Sequence, residues 1–164
     1  MNTITTSGHF FRPRPLFLFP QIGVTYVFGR IGFHSLSIYS THNPKNQADW
    51  NKGGGLSFSI IPNRNAAMIG WRFYKGKFQM QPYLNSGGVN LFRMFDPVDV
   101  DIDSPILWSI EKSGSNTVFE INGNMWVTDL VEWKDISFPR FPYFGGDDTP
   151  RCPVSIDWWA SNVK

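Results

Sequence analysis

Paired acids are the simplest catalytic machinery a sequence can carry, and here the acids are few. Asp99, Asp101 and Asp103 fall at every second position, with Val98, Val100 and Ile102 between or before them. In an extended strand this spacing puts three carboxylates on one face, about 6–7 Å apart. They repel unless water, a basic neighbour or a cation stands between them, and oxygen ligands of this kind suit Ca²⁺. The preferred expectation is an edge strand guarded by charge, with no cofactor required. A retaining glycosidase needs two carboxyl groups about 5–5.5 Å apart. The nearest approach is Glu120 in VFEINGN, where Asn122 stands in the second position, and Glu111 and Glu132 are isolated.

The other reactive residues are equally dispersed. His9, His34 and His42 lie at no metal-binding spacing, and Cys152 is the single cysteine, with no disulfide partner within the chain. Gly53-Gly54-Gly55 precedes a strand pattern instead of a helix, so it is no phosphate loop. The expectation is a protein that is not an enzyme.

Aromatic side chains are the remaining functional material. Seven Trp, five Tyr and fifteen Phe make 16% of the 164 residues. Trp158 and Trp159 are adjacent, so a regular strand sends them to opposite faces. Together with Trp50 and Tyr143 they are the expected contacts for a glycan or a neighbouring subunit. Residues 1–20 hold Phe10, Phe11, Phe17 and Phe19 among Pro13, Pro15 and Pro20. Proline excludes a regular helix and a central strand there. The segment reads as an extended arm, tucked on its own domain or packed on another subunit, before a single domain over 21–164.

The elements that must position these groups are strands. Four Ala and three Glu against fifteen Gly and twelve Pro leave little for helices. Period-two runs recur instead: Ile22–Phe28, Phe33–Tyr39 with one slip, Leu56–Ile60, Val89–Phe95, Ile106–Lys112 and Val154–Trp159. Ala67–Tyr74 and Lys77–Leu84 flank Lys75-Gly76, and Thr117–Ile121 and Met125–Leu130 flank Asn122-Gly123, both hairpin signals. Residues 40–55 read as a polar loop ending in three glycines. The pattern predicts an all-β, antiparallel two-layer sandwich.

Two stretches carry a resemblance. One is Asp49-Trp50-Asn51-Lys52, the glycines and LSFS, then Ala67 to Arg72; the other is Pro142-Tyr143-Phe144-Gly145-Gly146, a proline, and Val154 to Asp157. Over roughly residues 33–159 the chain resembles lectin-like sandwich domains of the concanavalin A and glucanase type found in Bacteroidota and their phages. The resemblance implies a jelly-roll sandwich, commonly a binding or structural module, and the hydrolase version of the pattern is absent.

A net charge of +2 from scattered residues offers no track for nucleic acid. The first residues lack a basic region followed by an apolar run, so no signal peptide is expected, and no segment is long enough to span a membrane. The functional expectation is a non-catalytic structural protein of a phage virion. It would be made in the host cytoplasm and be partnered by copies of itself and other virion proteins, with some role in attachment to cell-surface glycan. A free-standing carbohydrate-binding module of a Bacteroidota bacterium is the alternative, and a glycoside hydrolase a distant third.

Overall fold

Two hairpin turns organise the chain. In the computed structural model, Lys75 and Gly76 have φ of 52° and 78°, and Asn122 and Gly123 have 47° and 80°. Positive φ at both central residues matches a hairpin turn to the right-handed twist of its strands. These turns join β5 (Asn65–Tyr74) to β6 (Lys77–Ser86), and β10 (Asn116–Ile121) to β11 (Asn124–Thr128). The structure describes residues 2–11, 19–61, 64–145 and 147–163.

The remaining strands are β1 (Asn2–Thr6), β2 (Gln21–Ile22), β3 (Tyr26–Gly32), β4 (Asn51–Ser57), β7 (Val89–Asn90), β8 (Val98–Val100), β9 (Pro105–Ser113), β12 (Ile136–Arg140) and β13 (Val154–Val163). One sheet has the order β1-β13-β3-β9-β10-β11. The other runs β2-β12-β4-β5-β6-β7, with β8 also on β6. Every pairing is antiparallel. No α-helix occurs among the described residues, so none is long and apolar enough to cross a membrane. The two-layer sandwich is as expected.

The core lies between the sheets, and rings fill one end of it. Trp71 is fully buried, with Phe33, Tyr39, Phe78, Phe144 and Phe11 around it. Phe33 stacks on Phe78 with centroids 4.3 Å apart. Each such side chain contributes roughly 1.5–3 kcal/mol by leaving water.

Gly53-Gly54-Gly55 lies inside β4 instead of in a loop, and packing explains the difference. A Cβ on Gly54 would stand 3.1 Å from the Trp108 ring and 3.4 Å from the Trp158 indole nitrogen. Across the core, a Cβ on Gly29 would come within 2.6 Å of Trp108. Two large indoles fit between the sheets because the strands beside them carry no side chain at these positions.

Other expectations give way to local chemistry. Phe33–Tyr39 is not a strand: Ser35–Ser37 form a 3-10 turn whose Leu36 N–H donates to His34 Nδ1, while Ser37 Oγ donates to the Ser155 carbonyl at 2.5 Å. Val89–Phe95 contains only a two-residue strand and a 3-10 turn at Phe92–Met94. The acidic stretch is extended only at β8. Asp103 follows in a left-handed turn with φ 61°, so Asp99, Asp101 and Asp103 do not share one strand face.

The first residues belong to the sandwich. β1 pairs with β13 from Asn2 opposite Trp158 to Thr6 opposite Val154. Phe10 then bridges to Tyr143 in the other sheet. Phe11 is buried in the core at 4% exposure, whereas Phe10 and Phe19 are 52% and 67% exposed. Up to Phe11 the segment is thus a strand and a crossing between sheets, tucked on its own domain. Phe17 lies outside the described residues.

Candidate functional site

Strand alternation builds the site on the outer face of the seven-stranded sheet. Ala67, Ile69 and Trp71 of β5 face the main core, and Ala66, Met68, Gly70 and Arg72 face the other way. Cross-strand register extends that outer face in rows. Gly55, Met68 and Tyr83 form one row with Arg140 at its β12 end. Lys52, Gly70 and Gln81 form the next, with Tyr143 bridged to Lys52. Arg72, Gln79 and Asp99 form a third.

Small residues make room for large ones here. Trp50 packs over Gly70, where a Cβ would stand 3.2 Å from its ring and 3.3 Å from Tyr83. Trp50, Ala66, Met68 and Tyr83 form a second apolar cluster, with Phe92 stacked on Tyr83 at 5.9 Å.

A polar network fixes the Tyr143 segment against β4. The backbones of Lys52 and Tyr143 exchange hydrogen bonds of 2.8 and 2.9 Å. Buried Asn51 accepts from Gly145 N–H at 2.8 Å and donates to Tyr39 Oη at 3.0 Å. Burial pushes the Tyr39 phenol up to about 12, keeping it protonated. Gly145 is required at its position, because a Cβ would lie 2.5 Å from Lys52 Nζ and 2.4 Å from the Trp50 carbonyl. On the outer side, the Tyr143 ring stacks on His9 at 5.4 Å and meets Phe10 edge-on at 5.1 Å.

Three cations share this face. Lys52 Nζ lies 4.6 Å from the Tyr83 ring centroid and 5.6 Å from that of Tyr143, and it donates to the Trp50 carbonyl at 3.2 Å. Burial pulls its pKa down to about 8, with the Asp49 carboxylate acting in the other direction. Arg72 sits between the Trp50 and Tyr74 rings at 4.3 and 4.7 Å, donating to Gln79 Oε1 and the Ala48 carbonyl. Arg140 donates to the Ser59 and Ile60 carbonyls, and its Nε is buried without a hydrogen-bond acceptor among the described residues. Burial lowers the pKa of both arginines. None of the three has a carboxylate within 4.0 Å among the described residues, where the ion pairs are Lys77–Asp99 and Lys134–Glu132.

Of the aromatic residues the sequence singled out, Tyr143 reaches this face with a half-buried ring, packed by His9, Phe10 and Lys52. Trp50 is buried at 5% exposure, so it supports the site from beneath and offers no surface platform. Trp158 and Trp159 do point to opposite faces. Trp158 turns inward against Phe141 at 5.3 Å, lining a cleft of about 220 Å³ with Phe19, Gln21, Pro139 and Asn162. Trp159 is 39% exposed on the outer face of the six-stranded sheet, beside Phe28 and Arg30.

The acids do not converge. Glu120 is exposed on β10, opposite Ser109 and Met125 in the six-stranded sheet. Asp99 is engaged by Lys77 at 2.6 Å and Gln79 at 3.0 Å. Among the described residues, no group of three or more His, Cys, Asp or Glu side chains is gathered where it could hold a metal ion.

Fold and site together define a jelly-roll-type β-sandwich with a cationic, aromatic outer sheet face. No family model matches the chain, and no curated protein matches it in sequence. Solved structures match in fold. A functionally unknown protein from Saccharomyces cerevisiae superposes with a TM-score of 0.52 at 11% identity, over 97% of this chain and 77% of that one. The family 7 alginate lyase A1-II′ Y284F variant, in complex with product, gives 0.52 at 10% identity, over 88% of this chain and 66% of the lyase. The H191N/Y284F form of that lyase with substrate gives 0.50 at 11%, over 88% and 63%. This chain thus spans just under two thirds of the lyase's length. At such identity the likeness is one of fold.

Proposed function

We propose that the protein is a non-catalytic, lectin-like module that binds a glycan on the outer face of the seven-stranded sheet. The observation that carries the reading is the partly exposed Tyr143 ring beside Lys52, with Arg72 and Gln79 in the next row of the same face. A sugar offers an apolar C–H face and a rim of hydroxyls. A ring that stacks, flanked by a few fixed polar groups, is the chemistry that recognises both. The alginate lyase match supports the reading only in that a protein of similar fold holds oligosaccharides. The scattered placement of Glu111, Glu120 and Glu132 supports the absence of a paired-carboxylate mechanism.

Titration calorimetry across a broad set of oligosaccharides tests this reading. One or more should bind, and Tyr143→Ala should weaken that binding at least tenfold while leaving the fold intact. Failure of every sugar to bind would sink it.

A second reading, a structural subunit of a phage virion assembled in the host cytoplasm, has separate support. Phe28, Leu107, Met125, Val127, Trp159 and Val163 lie on the outer face of the six-stranded sheet, and all but Phe28 are more than a third exposed. Exposed apolar patches of this kind mark contacts with other proteins. Deleting residues 1–20 would remove β1 and Phe11 from the domain, so the informative variant is Leu107→Arg. It should convert an assembly to a monomer, and a wild-type protein already monomeric at high concentration refutes the reading.

A further inference from the structure

We propose that the protein pairs with a second copy of itself through the outer edge of β11, joining two six-stranded sheets into one continuous sheet. The proposal goes beyond the glycan reading and gives the subunit reading a specific contact. Its basis is a row of backbone groups that the fold leaves open beside apolar side chains.

Strand register identifies these groups. Asn122 and Gly123 form a two-residue turn, so Ile121 and Asn124 are a hydrogen-bonded pair, and such pairs recur at every second position. Asn124, Trp126 and Thr128 therefore bond to β10. The far side of β10 follows the same alternation, since Asn122 N–H donates to the Leu107 carbonyl of β9 at 2.9 Å. Met125 and Val127 then point their N–H and C=O groups away from β10, and β11 is the last strand of its sheet. No backbone hydrogen bond reaches these groups among the described residues. The Met125 and Val127 side chains are 63% and 59% exposed on the outer face.

Exposed edges are ordinarily blunted by charge, proline, shortness or cover. The other edges are short, charged or polar. β2 and β7 are two residues long, and β8 carries Asp99 in its ion pair with Lys77. β1 turns Thr3 and Thr5 outward, bonded to Asp157 and Ser155. β11 reads Asn-Met-Trp-Val-Thr, with neither charge nor proline. Its complementarity to itself selects a second copy as the occupant. Antiparallel pairing about Trp126 sets Met125 opposite Val127 of the partner subunit and, by the two-fold, Val127 opposite the partner's Met125. Both positions become hydrogen-bonded pairs that satisfy the open N–H and C=O groups, and the exposed side chains cover one another. No like charges meet at the joint, because Glu120 and Glu111 stand one and two strands back from it.

A strand of five residues on each side makes a small joint, at or below about 1,200 Å² in total, so the pair should dissociate on dilution. Sedimentation velocity between about 1 μM and about 1 mM should show monomer giving way to dimer. Over the same range, amide exchange in the unmodified protein should slow at Met125 and Val127, which lack an acceptor within the chain, far more than at Trp126, which has one. Val127→Pro removes an edge-facing donor while sparing the bonds to β10, and it should keep the protein monomeric throughout. The exchange measurement needs no variant, so it decides even if Val127→Pro fails to fold. A dimer kept in Val127→Pro but lost in Leu107→Arg, with exchange at Met125 and Val127 indifferent to concentration, overturns the edge pairing and leaves the subunit reading standing. A monomer at every concentration overturns both.

Discussion

The indole nitrogen of Trp158 donates a 2.6 Å hydrogen bond to the carbonyl of Gly53. Trp158 belongs to one sheet and Gly53 to the other, so this bond crosses the sandwich where the glycines of β4 leave room for the ring. Trp158→Phe keeps an aromatic ring but removes the donor, leaving the Gly53 carbonyl without it. Urea titration should show a loss of about 1–3 kcal/mol. A change indistinguishable from zero would mean that water replaces the donor.

The glycine run should be intolerant in a graded way. A Cβ at Gly55 would stand 2.3 Å from the Ala67 carbonyl and 2.6 Å from Met68 Cα, both backbone atoms, on a residue with φ of 142°. Gly55→Ala therefore combines overpacking and strain, roughly 2–6 kcal/mol together. Gly114→Ala is the control, with φ of 61° and nothing within 4 Å. Its cost should be the left-handed backbone alone, about 1–2 kcal/mol. Equal effects at the two positions would contradict the packing account.

Lys52 should make stability rise with pH. Its pKa is about 8 in the fold against 10.5 for the ordinary side chain. Between those values the unfolded chain holds a proton that the folded one has released, so raising the pH favours folding. The contribution is complete above the unfolded value and lost as pH falls through about 8. Tyr39, pushed up to about 12, and Tyr83, also raised by burial, act in the opposite direction, but above pH 10. Lys52→Met should stabilise at pH 7 by on the order of 1–3 kcal/mol. That advantage should shrink between pH 8 and 10, as followed by thermal melts. A constant difference across the range would show that Lys52 is not desolvated.

Asp99 is already served by Lys77 and Gln79, and its side chain is exposed. Asp99→Asn should leave the melting temperature unchanged, and millimolar Ca²⁺ should not raise it for either protein. A calcium-dependent rise abolished by the substitution would restore the cation expectation.

Most of the strand frame was legible because turn chemistry and alternation are local. Lys75-Gly76 and Asn122-Gly123 fix their hairpins, and alternation alone separates Trp158 from Trp159. What was not legible depended on partners remote in sequence. Gly53-Gly54-Gly55 reads as a loop until Trp108 and Trp158 are placed against it. Phe33–Tyr39 alternates, yet a cap from His34 and a bond from Ser37 to Ser155 curl it into a turn. Lys52 was hidden for the same reason, inside a segment read as loop, with Tyr83 and Tyr143 supplied by distant stretches. The one available signal was the outward set of β5 and β6, where Arg72, Gln79, Gln81 and Tyr83 alternate with core residues.

The position of β13 governs the order in which the protein can be completed during synthesis. The last strand lies between β1 and β3, two of the earliest. Thr3 reaches Asp157 across 154 residues of chain. Contacts of such separation slow folding because the intervening loop must close first. A nascent chain on the ribosome can form the β5–β6 and β10–β11 hairpins as they emerge. It cannot join β1 to β3 until residues 154–163 leave the exit tunnel, and until then Ile4, Val27 and Ile31 have no partner strand between them. Stalled chains in which β13 has not emerged should accordingly be captured by chaperones and cut by protease, with resistance appearing once residues 154–163 are free to pair.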